Sequence, residues 1–351
     1  MIHNKMSEKH INTVLQTFNV GVNPSNVSVT PNGKYAYVTN SNNYAIPKSD
    51  TVTVLNLRKG IPKLTIQDDS FIEPYRIAID NNGIYGYVCN SGSPSSTGST
   101  GTISIINLKT NKVSGVIVGF DGPGGIALSI KNAYVTNYGA PGGVQSGNGT
   151  TVSVVDLKTN KIIDTIQVDL APSALVLSPC HNFLYVICYV DGNPGTGILN
   201  VICTKTNNVI IKIPGFSGPF GIALSTNGHY AYVTNFGSNN FAPYGTTLSV
   251  VNLKKQCIIK NIEVGIQPAG IAVSKKFAYV SNYNTLYADP NYQNLTPGEG
   301  TISIICLKNN ELVRPTISIG QSPSSLALSP DGKRLYVCKY IQNTVAEIYL
   351  E

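Results

Sequence analysis

Charged residues, histidine and long apolar runs are all scarce in this sequence. Asp, Glu, Lys and Arg supply only 12% of the 351 residues, against 42% hydrophobic residues, 33 Gly, 20 Pro and 20 Tyr. That balance suits short strands joined by tight turns better than helices. No run of about 18 apolar residues occurs, which excludes a membrane-spanning helix and predicts no membrane partner. Met1 to His10 is polar and carries Lys5, Glu8 and Lys9 where a signal peptide needs an apolar core. The seven cysteines include no Cys-x-x-Cys pair, and Cys89, Cys188 and Cys338 stand at or beside one strand position of a repeat. Reduced structural thiols in a cytoplasmic, intracellular setting are the expectation.

What the chain does contain is one pattern written seven times. Its clearest copy runs from Pro219 to Leu253: Pro-Phe-Gly-Ile-Ala-Leu-Ser, a turn at Asn227-Gly228, Tyr-Ala-Tyr-Val-Thr-Asn, a polar loop, then a Thr-rich apolar strand. The Tyr of each Tyr-Val pair serves as an anchor, at Tyr37, Tyr87, Tyr134, Tyr185, Tyr232, Tyr279 and Tyr336. A period of roughly 50 residues suits a propeller blade and is too long for most helical solenoids.

Each unit predicts four antiparallel strands. Strand A follows a Pro and alternates apolar with small residues, as in Pro24 with Val27 and Val29. A tight turn such as Ser329-Pro330-Asp331-Gly332-Lys333 leads to strand B, with Gly at the position of positive φ. Repeats three and six lack that glycine, reading Ile130-Lys131-Asn132 and Lys275-Lys276. Strand C begins at Thr51, Thr102, Thr151 and their equivalents, and Lys-Thr-Asn-Lys turns lead to strand D.

The last repeat stops after strand C, whereas the chain begins with an orphan fourth strand, Ile11 to Gly21. Pairing the two satisfies backbone groups that both would otherwise leave open. The expectation is therefore an all-β, seven-bladed β-propeller of four-stranded antiparallel blades, with the N-terminal strand completing the last blade. Residues 1–10 are expected to be a tail and residues 11–351 one monomeric domain.

With Tyr-Val-Thr-Asn at Tyr37, Tyr134 and Tyr232, and Tyr-Val-Ser-Asn at Tyr279, the chain resembles the YVTN-type seven-bladed β-propeller repeat family. The resemblance covers nearly the whole chain and implies the fold. Propellers of this kind include surface-layer and periplasmic proteins, and related ones serve as lactonases, lyases and haem enzymes, so fold alone selects no activity.

Strand order puts the B-to-C loops and D-to-A connections on one face of the disc and the tight turns on the other. The turn face collects most of the 25 Lys and Arg, and the loop face collects Asp50, Asp68, Asp69, Glu73, Asp121, Asp191, Asp289 and Glu299. The net charge of +7 thus describes a polarised disc. Lysines at exposed turns are ordinary solvated residues, and the sequence shows no aromatic stacking platform between them, so nucleic acid is the weaker partner for this protein.

The loop face has the Ser, Gly, Asn and Tyr composition of an adaptable recognition surface. Tyr44, Phe241, Tyr244, Tyr287 and Tyr292 are its loop-borne binding candidates. Tyr138, Tyr189, Phe236, Tyr283 and Tyr340 directly follow strand B, where packing between blades is the expected role. Tyr283 and Tyr340 also flank the longest and the shortest loop, which makes them candidates for contact with a partner. The residues just after each blade's Pro form the channel mouth, and Arg76 is the only charged one. Glu73, on the same segment, is a ready structural partner for it.

Enzymatic readings meet missing residues. His3 and His10 fall in the tail, and His181 and His229 in turns on the far face, so no histidine reaches the channel mouth. A haem site lacks its axial ligand, a lyase its general base, and a metal-dependent lactonase its carboxylates, since Asn26 stands alone there. The sequence therefore predicts no catalytic residue, no metal and no cofactor. It favours a binding scaffold for a protein, peptide or glycan, with a small-molecule enzyme around Arg76 and a polyanion site on the basic face as alternatives.

Overall fold

The computed structural model describes residues 12–41, 50–92, 101–139, 147–190, 193–238, 244–287 and 295–350. They form seven four-stranded antiparallel sheets and one two-stranded hairpin. In the first blade strand A is Pro24–Val29, B is Tyr35–Asn40, C is Thr51–Asn56 and D is Ile61–Ile66, hydrogen-bonded in that order. The A strands of successive blades contact one another around a closed ring that lines the channel.

Blade seven contains Pro323–Leu328, Arg334–Lys339 and Thr344–Tyr349, and its fourth strand is Thr13–Asn19 from the start of the chain. That pairing is antiparallel, from Thr13 opposite Tyr349 to Asn19 opposite Thr344. The ring closes as the orphan strand requires.

The apolar core lies between blades. Tyr37, Val52 and Val54 of blade one pack with Ile77, Val88 and Ile106 of blade two, and the same arrangement recurs around the disc. Burying each such aliphatic side chain contributes about 1.5–3 kcal/mol, which makes the blade interface the main source of stability.

The repeated polar letters stitch the blades internally and to one another. The amide of Asn235 donates to the hydroxyls of Thr247 and Ser249 at 2.9 and 2.8 Å, and Asn40, Asn90, Asn137 and Asn282 do the same in their blades. Thr39 Oγ1 donates to the carbonyl of Tyr75 at 2.9 Å, and Thr234 Oγ1 to that of Ala269 at 2.8 Å, each reaching the next blade's strand A. Tyr37 Oη donates to Asn111 Oδ1 at 2.6 Å, in the C-to-D turn of blade two. Asn111 holds φ at 55°, the left-handed region that Asn tolerates better than most residues.

The A-to-B turns place Gly33, Gly83, Gly228 and Gly332 at φ between 63° and 71°, and His181 takes this position in blade four at 59°. A second left-handed residue precedes every strand-A proline: Asn23, Glu73, Gly122, Ala171, Gly218, Gln267 and Ser322. At Gly218 a Cβ would lie 2.2 Å from the carbonyl oxygen of Gly237, so no other residue fits. Blade six inserts the hairpin Thr285–Tyr287 with Leu295–Pro297 between its strands B and C.

Candidate functional site at the channel mouth

A cavity of about 300 Å³ opens where the A strands begin. Five of the seven A strands contribute the residues that follow their proline, which pairs with the Asn or Lys at the end of strand B, as Pro24 does with Asn40. Blade one supplies Ser25 and Asn26, blade two Tyr75 and Arg76, and blade five Phe220 and Gly221. Blade six adds Ala269 and Gly270, and blade seven adds Ser324 and Ser325. Gly124, Gly125, Ser173 and Ala174 of blades three and four do not line it, so the cavity lies off-centre in the channel.

Its polar wall is preorganised. Asn26 Nδ2 donates to Ser325 Oγ at 2.7 Å, and Asn26 Oδ1 accepts from the Ile77 amide at 3.1 Å, so one side chain ties blades seven, one and two together. Ser25 Oγ lies 3.0 Å from the carbonyls of Pro74 and Tyr75. Arg76 rests on its neighbour Tyr75, its guanidinium carbon 5.7 Å from the ring centroid. A cation over a ring face at this distance is attracted by the ring quadrupole. The carboxylate of Glu73, the partner expected from sequence, instead meets the hydroxyl of Ser41, and its backbone amide donates to Asp50 Oδ2 at 2.9 Å. Among the described residues Arg76 forms no ion pair.

The opposite wall is aromatic. Phe220 and Phe236 have ring centroids 5.3 Å apart, Phe236 and Tyr283 are 6.2 Å apart, and Tyr283 and Tyr340 are 6.4 Å apart, all tilted. Pairs in this range contribute about 0.5–1.5 kcal/mol each beyond the area they bury. Blades three and four carry Tyr138 and Tyr189 at the same position after strand B, and Tyr189 Oη donates to the Gly237 carbonyl of blade five at 3.0 Å. Burial pushes the Tyr138 phenol up to about 12, with Tyr189 and Tyr75 adding to the shift.

The sequence candidates divide accordingly. Arg76, Tyr283 and Tyr340 come together in the cavity wall. Tyr244 begins strand Tyr244–Asn252, opposite Gly237, half-buried and away from the cavity lining. Tyr287 ends the first strand of the blade-six hairpin. Tyr44, Phe241 and Tyr292 lie outside the described residues. Phe220 follows the proline of blade five and Phe236 follows its strand B, and the two rings meet in one wall. Strand register alone does not pair them, since Phe236 lies opposite Gly218 and Phe220 falls in the irregularity after Pro219.

Elsewhere the chemistry is muted. Among the described residues no group of three His, Cys, Asp or Glu is placed to hold a metal ion, and no helix is long and apolar enough to cross a membrane. Burial pushes the thiol of Cys89 up to about 12 and those of Cys188 and Cys338 upward as well. On the basic face Lys34 and Lys63 lie 5.2 and 4.7 Å from the ring centroid of Tyr35.

No protein-family model matches the chain. It is similar to Antigen Lp49 of Leptospira interrogans, at 27% identity over 178 residues, 50% of this chain and 35% of that protein. It is also similar to the seven-bladed beta-propeller protein Rv1057 of Mycobacterium tuberculosis, at 30% identity over 140 residues, 39% of this chain and 30% of that one. The matches thus span about a third of the length of these curated relatives. Among solved structures, hydrazine synthase of Kuenenia stuttgartiensis aligns with a TM-score of 0.76 at 19% identity, covering 94% of this chain and 96% of that chain. That likeness concerns the fold alone.

Proposed function

We propose that this chain is a non-catalytic binding propeller of the YVTN-repeat type that recognises a protein, peptide or glycan through its loop face, anchored at the channel mouth. The observation that carries the reading is the cavity wall itself, where three blades present adjoining aromatic rings above a ring of small and hydroxyl-bearing residues. Rigid aromatic surface of this kind binds with little loss of side-chain entropy. The described lining residues include no Asp, Glu, His, Cys or Lys, and Ser25 is engaged with backbone carbonyls, an environment suited to holding a ligand. An intracellular monomer is the proposed setting, supported by seven free thiols, three of them buried.

Peptide and glycan arrays probed with the wild-type protein and with a Tyr283→Ala/Tyr340→Ala double variant test the reading. Ligands bound by the wild type and lost by the variant are the expected result. Ligands retained by the variant would move recognition away from the channel mouth, and turnover in a lactone hydrolysis screen would replace binding with catalysis.

A further inference from the structure

We infer that the channel-mouth cavity takes an aromatic group bearing a carboxylate, with the carboxylate on Arg76 and the ring against Phe220, Phe236 and Tyr283. The inference rests on the reading of this cavity as a binding site and specifies the chemistry it selects.

The first argument is the uncompensated cation. Positions equivalent to Arg76 in the other blades hold Asn26, Gly125, Ala174, Gly221, Gly270 and Ser325, all small or neutral. Arg76 is the only charged side chain among the described lining residues, it is half-buried, and among those residues it has no counter-ion. A partly desolvated guanidinium gains most from an anion that accepts two parallel N–H bonds, and Arg76 lies over the ring of its neighbour Tyr75 at 5.7 Å from the centroid.

The second argument is placement. Arg76 belongs to blade two, and the Phe220–Phe236 pair belongs to blade five. In a closed ring of seven these blades are separated by two on one side and three on the other, so cation and rings face each other across the channel. Between them the floor is small, with Ala269, Gly270, Ser324 and Ser325 leaving room for a ring. A volume of about 300 Å³ sits at the lower end of ligand sites, suited to one amino-acid-sized group. One arginine with no lysine or second arginine beside it matches a single negative charge better than a phosphate of nearly two. The end of a peptide finishing in Phe or Tyr and a free aromatic acid share this chemistry.

The test is titration calorimetry with N-acetyl-phenylalanine and 3-phenylpropionate, each against its own amide, and with phenyl phosphate. Wild type and Arg76→Gln are compared, with melting temperature as the control for folding. Each acid should bind the wild type about tenfold more tightly than its amide, the size expected for one charge-assisted pair. Arg76→Gln should bring that ratio to about one by weakening the acid far more than the amide, and Phe220→Leu should weaken acid and amide alike. Tighter binding of N-acetyl-phenylalanine than of 3-phenylpropionate would assign the site to a peptide terminus, and the reverse order to a free acid. Equal binding of acid and amide, an unchanged ratio in Arg76→Gln, no binding of any probe, or tighter binding of phenyl phosphate would each overturn the inference. Array ligands that still depend on Tyr283 and Tyr340 would then leave loop-face recognition standing without it.

Discussion

The side-chain amide of Gln16 donates to the carboxylate of Glu347, 331 residues further along the chain. Glu347 is fully buried, and Arg334 Nη1 and Tyr336 Oη donate to its other oxygen. In the other six blades the same strand-C position, opposite the anchor tyrosine, holds Val54, Ile105, Val154, Val201, Val250 and Ile304. Only the blade built from both ends of the chain carries a charged lock there.

Glu347→Ala should therefore destabilise the protein by about 2 kcal/mol, because it leaves the buried Tyr336 hydroxyl without an acceptor and removes the acceptor of the closing strand, while Arg334 keeps access to solvent. Gln16→Ala should cost about 1 kcal/mol, and the double variant less than the sum. Urea unfolding of the three variants measures the coupling, and strict additivity would show that the closing strand is held by its backbone ladder alone.

His181 holds φ at 59° in a turn where its sisters use glycine, and left-handed backbone costs a side-chain-bearing residue about 1–2 kcal/mol. His181→Gly should stabilise by up to about 1 kcal/mol, once the greater freedom of glycine in the unfolded chain is subtracted. Gly332→Ala, at φ 71° with no atom within 4 Å of its Cβ position, should destabilise by a similar amount. Shifts of the unfolding midpoint in opposite directions are the expected outcome.

Blade four exchanges the two ends of the repeated amide bridge: Asn200 on strand C donates to Cys188 Sγ on strand B at 3.3 Å. Cys188→Asn alone places two amides face to face, and Asn200→Ser alone leaves the thiol without its donor. Each should cost about 1–2 kcal/mol. Combined, they restore the arrangement of Asn235 with Ser249, so the double variant should be more stable than the sum of the singles predicts. Thermal melts of the three proteins decide it.

The anchor tyrosines make the fold sensitive to alkali. Burial pushes the phenols of Tyr87 and Tyr232 up to about 12, Asp80 and Tyr85 adding to the first shift and Tyr230 to the second; Tyr37 and Tyr336 move the same way. The folded state thus binds these protons more tightly than the unfolded chain, whose phenols titrate near 10.0. Their contribution is fully present below about pH 10 and is lost as pH rises toward 12. Tyrosinate absorbance at 295 nm should grow together with loss of the β-sheet circular dichroism. Complete titration near pH 10 with the sheet signal intact would contradict it.

Local letters with local consequences were legible in the sequence. Tyr-Val-Thr-Asn after a Pro-Asp-Gly-type turn specifies a strand and its direction, and an incomplete seventh repeat beside the orphan strand Ile11 to Gly21 specifies closure. The Asn235 that ends strand B and the Thr247 and Ser249 of strand C were equally visible, but their separation varies from blade to blade, from 11 residues at Asn40 and Thr51 to 19 at Asn282 and Thr301, and the hydrogen bond is recognised only once the register is known.

By itself, then, the sequence determined the seven blades, their strand order and the way the ring shuts, because alternation and turns act over a few residues and closure follows from unsatisfied backbone. The tertiary structure decided what faces what across the channel. Tyr75, Arg76, Phe220, Phe236 and Tyr283 are spread over some two hundred positions of chain and share no motif. They line one cavity because the ring curvature returns blades five, six and seven to blades one and two, and that curvature is a property of all seven interfaces together.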